Sequence, residues 1–348
     1  MKKGFALVMA SMMALSLTAC GGNGSSATTA ADTSAADTKA EVTTAAAPAD
    51  KIGLAGSGKE LIFTTGGDQG TYYGFGSVLA GQISDMTDTT VTAIVGKGSK
   101  GNIEAMDAGD AQLGFVQSDV MAYAYNGTNL FDGAKVDGFS TVAALYMEQV
   151  QIVTLNPDIK TVADLKGKTV SVGDSGSGVY FNALDCLGAY GLTIDDITPT
   201  YQSFGDSVEA MQDGKIDAAF IVAGAPTTAV TSLAATRKVY LVELDDEHID
   251  KLIEASPYYS KYTIAKDAYG LDADATTVAV GAVVVARDDV DENDIYNVVA
   301  GIYDSIDTLG HDKKNELDLD FAASVTAVPY HKGAAKYFAE KGLTVPTK

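Results

Sequence analysis

The sequence predicts an α/β body of two lobes, each built on a doubly wound, mainly parallel sheet. Three observations carry this. Short apolar runs of roughly four to eight residues alternate with helical stretches through most of residues 58–348. Glycine-rich loops follow several of those runs, where a strand hands over to a helix. The same rhythm starts again after about residue 150.

The elements follow in order. Leu61–Thr65 reads as a buried strand, and the loop GGDQG (66–70) leads into a helix from Tyr72 to about Met86. Thr90–Val95 is a second strand, followed by GKGSKG (96–101) and a short helix over Asn102–Ala108. Ala111–Val116 is a third strand that ends at Gln117-Ser118-Asp119. Phe139–Tyr146 and Gln149–Leu155 are extended and apolar. The second unit places a strand at Thr169–Val172, a glycine loop at 173–178 and a helix over Tyr180–Tyr190. A strand at Thr200–Gln202, a helix at Asp206–Asp213 and a strand at Ile216–Val222 come next. Pro226 then opens a helix, a position proline favours. Val239–Leu244 is a strand, Tyr258–Tyr269 is irregular, and Thr276–Ala286 is a long alternating strand. Helices at Asp294–Leu309 and Ala334–Lys341 close the chain. We expect a first crossing between lobes near Val150 and a return along 276–286. Residues 58–150 with 276–348 would then form lobe 1, and residues 151–275 lobe 2.

The amino-terminal segment sets the expected compartment. Lys2 and Lys3 precede an apolar stretch from Phe5 to Leu17 that is too short to span a bilayer, which needs about 20 residues. Residues 1–19 therefore read as a secretory signal. The run Leu17-Thr18-Ala19-Cys20 resembles a bacterial lipobox and implies lipidation of Cys20 and an extracytoplasmic chain anchored to the cell membrane. Residues 20–57 are rich in Ala, Thr, Ser and Gly and lack aromatics, as expected of a disordered tether. The whole chain carries 24 basic and 46 acidic residues, a net charge of −22, which argues against nucleic-acid binding. With Cys20 lipidated, Cys186 is left without a partner in an apolar stretch and reads as a small buried hydrophobe.

Ligand chemistry is expected at the strand-end loops, because open α/β sheets bind at the carboxyl ends of their strands. Four loops qualify: 65–74, 96–102, 117–119 and 174–178. Glycines admit a ligand to the backbone N–H groups, and a following helix points its positive end at the same place. Gly96, Gly98 and Gly101 also match the dinucleotide pattern G-x-G-x-x-G, with Asp119 about 20 residues further on. Lys97 and Lys100 do not suit that pattern, and an exported chain meets little nicotinamide cofactor; Asp119 reads equally as a helix N-cap. Neither a metal-ligand spacing nor a nucleophile elbow occurs around His248, His311 and His331. We expect no enzyme activity, no cofactor and no metal.

Five stretches then resemble one family. They are TGGDQGTYYGFG (65–76), GSKGNIEAMDAGDAQLGFVQSDVMAYAYNG (98–127), VADLKGKTVSVGDSGSGV (162–179), MQDGKIDAAFIVAGAP (211–226) and PYHKGAAKYFAEKGL (329–343). In order and spacing they resemble the TAXI proteins, the extracytoplasmic receptors of one branch of the tripartite ATP-independent periplasmic (TRAP) transporters. The resemblance implies a periplasmic-binding-protein-like fold of type II with a hinged interlobe cleft. It implies a monomer that captures an organic acid or amino acid, such as glutamate, glutamine or a dicarboxylate, and delivers it to membrane permease subunits. By position it implies a cleft lined by Thr65, Gly67, Tyr72 and Tyr73, by Ser99 and Asn102, and by Gln117, Ser118 and Asp119. Ser175, Ser177 and Gly178, with Gly224 and Pro226, would face them, and Lys97 would assist an anionic ligand. Lys97, Lys100 and Val179 depart from the family's pattern. Two rivals stay open: a binding lipoprotein of an ATP-driven importer, and an exported enzyme acting on a phosphorylated substrate.

Overall fold

A computed structural model of the chain describes residues 51–348. The signal segment, Cys20 and most of the expected tether lie outside the described residues. The expected tether boundary at residue 57 shifts: Ile52 bridges to Thr87, Leu54 N–H donates to Asn297, and Ser57 donates to Asp294. These bonds fasten residues 52–57 to the folded body.

The elements are β1 (Glu60–Thr64), α1 (Thr71–Met86), β2 (Thr90–Ile94), α2 (Ser99–Ala108), β3 (Leu113–Gln117), α3 (Ser118–Asn126) and β4 (Phe139–Thr154). Then come β5 (Thr169–Ser171), α4 (Val179–Ala189), β6 (Thr198–Thr200), α5 (Phe204–Gln212), β7 (Ala218–Ala223), α6 (Thr228–Ala234), β8 (Tyr240–Leu241), α7 (Asp246–Ala255) and β9 (Ser260–Ile264). The chain continues with β10 (Ala275–Arg287), α8 (Glu292–Tyr303), α9 (Leu319–Ala322) and α10 (Lys332–Glu340).

The strands form one ten-stranded sheet in the order β2-β1-β3-β10-β4-β7-β5-β6, with β8 on β4 and β9 on β10. At one end β2, β1 and β3 run parallel, and at the other β7, β5 and β6 do. Antiparallel β10 and β4 join the two ends. Each end has apolar clusters on both faces of its sheet: those around Phe63 and Ile103 at one end, those around Phe220 and Val230 at the other. A sheet buried on both faces needs near-continuous apolar strands, which is how β3, β4, β7 and β10 read.

Several elements differ from expectation. β4 is a single strand of 16 residues, because β10 pairs along it through two register shifts. Residues 118–126 form α3, and the acidic run 245–247 opens α7 with Asp245 as N-cap, accepting from His248 N–H. The segment expected to be irregular supplies β9, an edge strand on β10. Cys186 is buried and free, as read. Among the described residues no helix is long and apolar enough to cross a membrane.

Phe115 sits at the centre of the first end. It is fully buried, stacks on Tyr72 with centroids 4.6 Å apart and lies 5.0 Å from Phe63. Phe115→Ala is expected to lower the unfolding free energy by about 3–5 kcal/mol, read by urea denaturation.

Candidate functional site

A cleft of roughly 640 Å³, its open mouth included, lies at the carboxyl ends of the parallel strands from the two ends of the sheet. Its walls are the segments that follow β1 and β2 with the last residue of β3 on one side, and the segments that follow β5 and β6 with the last residues of β7 on the other. Helices α1, α2 and α4 begin at the cleft, with Gly70, Gly98 and Gly178 as their N-caps. None of the three has a side-chain cap, so the first-turn N–H groups are left to other partners. Helix α5 also begins there, but Ser203 caps it by accepting from Asp206 N–H.

Two glycines are required by this geometry. Gly98 has a φ of +86°, and a Cβ there would lie 3.3 Å from the Ser177 backbone. Gly178 packs against Gln117 so closely that a Cβ would overlap its amide oxygen.

Contacts across the cleft join its two walls. Gly101 N–H donates to Gly176 O at 2.9 Å, Thr71 hydroxyl to Gly224 O at 2.9 Å, and Ala229 N–H to Gln69 O at 3.2 Å. Behind the cleft, Gln117 Nε2 donates to Asn182 Oδ1 at 2.8 Å. Asn182 Nδ2 donates to Asp119 Oδ2 at 3.0 Å and to Tyr259 Oη at 2.8 Å, and Tyr259 donates to Asp185 at 2.8 Å. Burial pushes the Asp119 carboxyl up to about 7, with Asp185 adding to it against the pull of backbone N–H groups.

Glu148 lines the cleft from the middle of β4 and is almost fully buried. Tyr72 donates its hydroxyl to Glu148 Oε2 at 2.6 Å. Burial, reinforced by Asp119, raises the Glu148 carboxyl to about 8, against the lowering effect of the Tyr72 hydroxyl and Lys313.

The structure brings seven of the expected residues to the cleft: Gly67, Tyr72, Lys97, Ser99, Gln117, Ser177 and Gly178. Others are committed to the fold. Thr65 donates to Ile94 O. Asn102 donates to Thr65 O and Phe115 O and accepts from Thr64, tying α2 to β1 and β3. Ser118 accepts from Gly281 N–H, and Asp119 sits in the buried network. Tyr73 and Pro226 are not on the cleft wall, Ser175 is exposed to solvent, and Gly224 packs on Lys313 behind the wall. The buried position of Asp119 also removes the carboxylate that the dinucleotide pattern needs at a ribose.

Glu148 and the segment Ser203–Gly205 were not anticipated. Ser203–Gly205 carries no glycine-rich signature. Glu148 did carry a signal: it is the lone charge in the apolar run FSTVAALYMEQVQIVT.

A putative aliphatic sulfonates-binding protein of Escherichia coli K12 is 43% identical over 70 residues, which span 20% of this chain and 22% of that protein. The chain is similar in structure to the alkanesulfonate-binding protein SsuA of Xanthomonas axonopodis pv. citri bound to MOPS: TM-score 0.47, 17% identity, covering 80% of this chain and 83% of that one. It is also similar to PhnD1 of Prochlorococcus marinus in complex with methylphosphonate: TM-score 0.48, 13% identity, covering 76% of this chain and 89% of that one. A family model described as the NMT1-like family matches residues 63–342, nearly the whole described body, and the chain belongs to the NMT1-like family.

Proposed function

We propose that the protein is an extracytoplasmic solute-binding receptor that captures a small solute with an acidic head group and passes it to an importer. The observation that carries this is the convergence of three uncapped helix N-termini, from both lobes, on one cleft that also holds Lys97. A sulfonate or carboxylate fits that environment. A second acidic group fits it less well, because Asp68, Glu148 and Asp174 share the lining. Binding needs no chemistry on the solute: its contacts to both lobes favour the closed arrangement over an open one. The expected lipid anchor at Cys20 would keep the receptor beside its permease.

For the permease we favour an ATP-driven importer. The family match and the short similarity to a sulfonates-binding protein support that choice. The motif order quoted above favours a second reading, in which a TRAP permease takes the solute from a TAXI-type receptor. The neighbouring genes separate them, since an ATPase subunit belongs to the first alone.

The test is thermal unfolding of the mature chain with alkanesulfonates, taurine, L-glutamate and phosphonates. At a hundredfold excess over Kd the matching solute stabilises by about 2.7 kcal/mol, a rise of several degrees. The solute is expected to be recovered unchanged. No shift with any of these acids, or conversion of the solute, overturns the receptor reading.

A further inference from the structure

Resting on that receptor reading, we propose that Glu148 selects the solute by receiving a cationic, hydrogen-bond-donating nitrogen, so that the cleft takes a zwitterion and not a simple anion.

The position is unusual for a carboxyl group. β4 runs through the centre of the sheet, and its other residues are apolar or neutral. A buried carboxylate needs charge-assisted partners, and Glu148 has only part of that need met. Oε2 accepts from Tyr72; among the described residues Oε1 has no hydrogen-bond donor. Oε1 is also not sealed away, unlike the buried, unpartnered hydroxyl of Tyr146. It belongs to a residue of the cleft wall, so a bound solute is the available donor.

The basic side chain that bears on it does not satisfy it. Lys313 is itself buried, pairs with Glu316, and donates to Ala225 O at 3.0 Å. The groups that bear electrostatically on Glu148 are Asp119, Lys313 and the Tyr72 hydroxyl, and only Lys313 carries positive charge. Tyr72 cannot turn away to release Oε2, because its ring is stacked on Phe115 at an interplanar angle of 6°.

The cleft also offers an opposite pole. Ser177 Oγ is buried, unpartnered and on the cleft wall beside the N-terminus of α4. Lys97 and the uncapped helix starts complete an acid-binding pole there. A solute with an acid at one end and an amine at the other meets both; a solute with a hydroxyl in place of the amine leaves Glu148 without a counter-charge.

Two matched probe pairs test this by isothermal titration calorimetry: taurine against isethionate, and L-glutamate against 2-hydroxyglutarate. In each pair the acid is kept and the amine becomes a hydroxyl. The wild-type chain is expected to favour the amine member of at least one pair by about tenfold or more, and Glu148→Gln to bring that ratio within about threefold. Gln keeps the acceptor for Tyr72, and Glu148→Asp, which keeps the charge, should retain part of the preference. Binding of the amine should release a proton near pH 7, read from titrations in buffers of different ionisation enthalpy. Equal affinity for both members, or a preference that survives in Glu148→Gln, overturns the role of Glu148 and leaves the receptor reading standing. Failure of all four probes to bind at millimolar concentration overturns both.

Discussion

Gly178→Ala is expected to abolish solute-dependent stabilisation while the chain still folds. The residue caps α4 with φ −71° and ψ −21°, a conformation that alanine adopts freely. The obstacle lies across the cleft. A Cβ at 178 would meet Gln117 Oε1 at 1.4 Å, Gln117 Cδ at 2.5 Å and Ser99 Oγ at 2.9 Å. Gln117 can swing aside, but it then gives up its bond to Asn182, the interlobe link behind the cleft. Overpacking of this kind costs about 1–3 kcal/mol, and an unmade buried hydrogen bond about 1–3 kcal/mol more. Both costs fall on the closed state alone, so affinity should drop by about 100-fold, equivalent to ~2.7 kcal/mol. Gly188 in the same helix is the control: a Cβ there meets nothing within 4 Å. Gly188→Ala should leave affinity unchanged and add up to about 1 kcal/mol of stability. Wild-type affinity in Gly178→Ala would mean that the lobes do not meet this way around a bound solute.

The loops that build the cleft were legible because each sits where a short apolar run stops and glycines begin. That pattern is local, and Gly67, Ser99, Gln117 and Gly178 lie where it points. What failed was the division of labour within a loop. Thr65 and Asn102 have side chains as suited to a ligand as those of Ser99, yet they bond to backbone carbonyls of neighbouring strands. Which polar side chain faces the ligand depends on strand register and helix rotation, which involve residues far apart in sequence. Asp119 shows the same limit: its partner Asn182 is 63 positions away. The fold was easier to read than the site because a buried sheet imposes its apolar pattern on every strand. β9 escaped because it is an edge strand with three exposed positions, so its residues lack that pattern. Glu148 was visible as a lone charge in an apolar strand, but its meaning required Tyr72, which a distant helix presents.

The ligand-free protein is expected to lose about 2 kcal/mol of stability between pH 6.5 and pH 8.5. The sign follows from Asp119 and Glu148, whose carboxyls burial raises to about 7 and about 8 in the folded chain. In the unfolded chain both ionise at ordinary carboxylate values, near pH 4. Between those limits the folded state holds more protons than the unfolded state, so stability falls as pH rises and levels off above about 8. The window starts at 6.5 for a reason. Burial lowers the pKa of His311 and His331, which makes the unfolded state the better proton binder below their ordinary value and gives an opposing slope there. The exposed acids lie outside the window: His248 holds the Asp245 carboxyl down at about 2, and its contribution is already complete. The Asp119 charge also raises Glu148, so the two proton losses overlap across the window. Urea midpoints at the two pH values measure it. Glu148→Gln should remove the larger part of the fall, since the higher-lying group changes most above pH 7, and the double variant with Asp119→Asn should flatten the profile. A wild-type midpoint that does not move, or a fall that persists in the double variant, would show that neither carboxyl holds its proton in the folded chain, and proton release on binding would then have to come from another group.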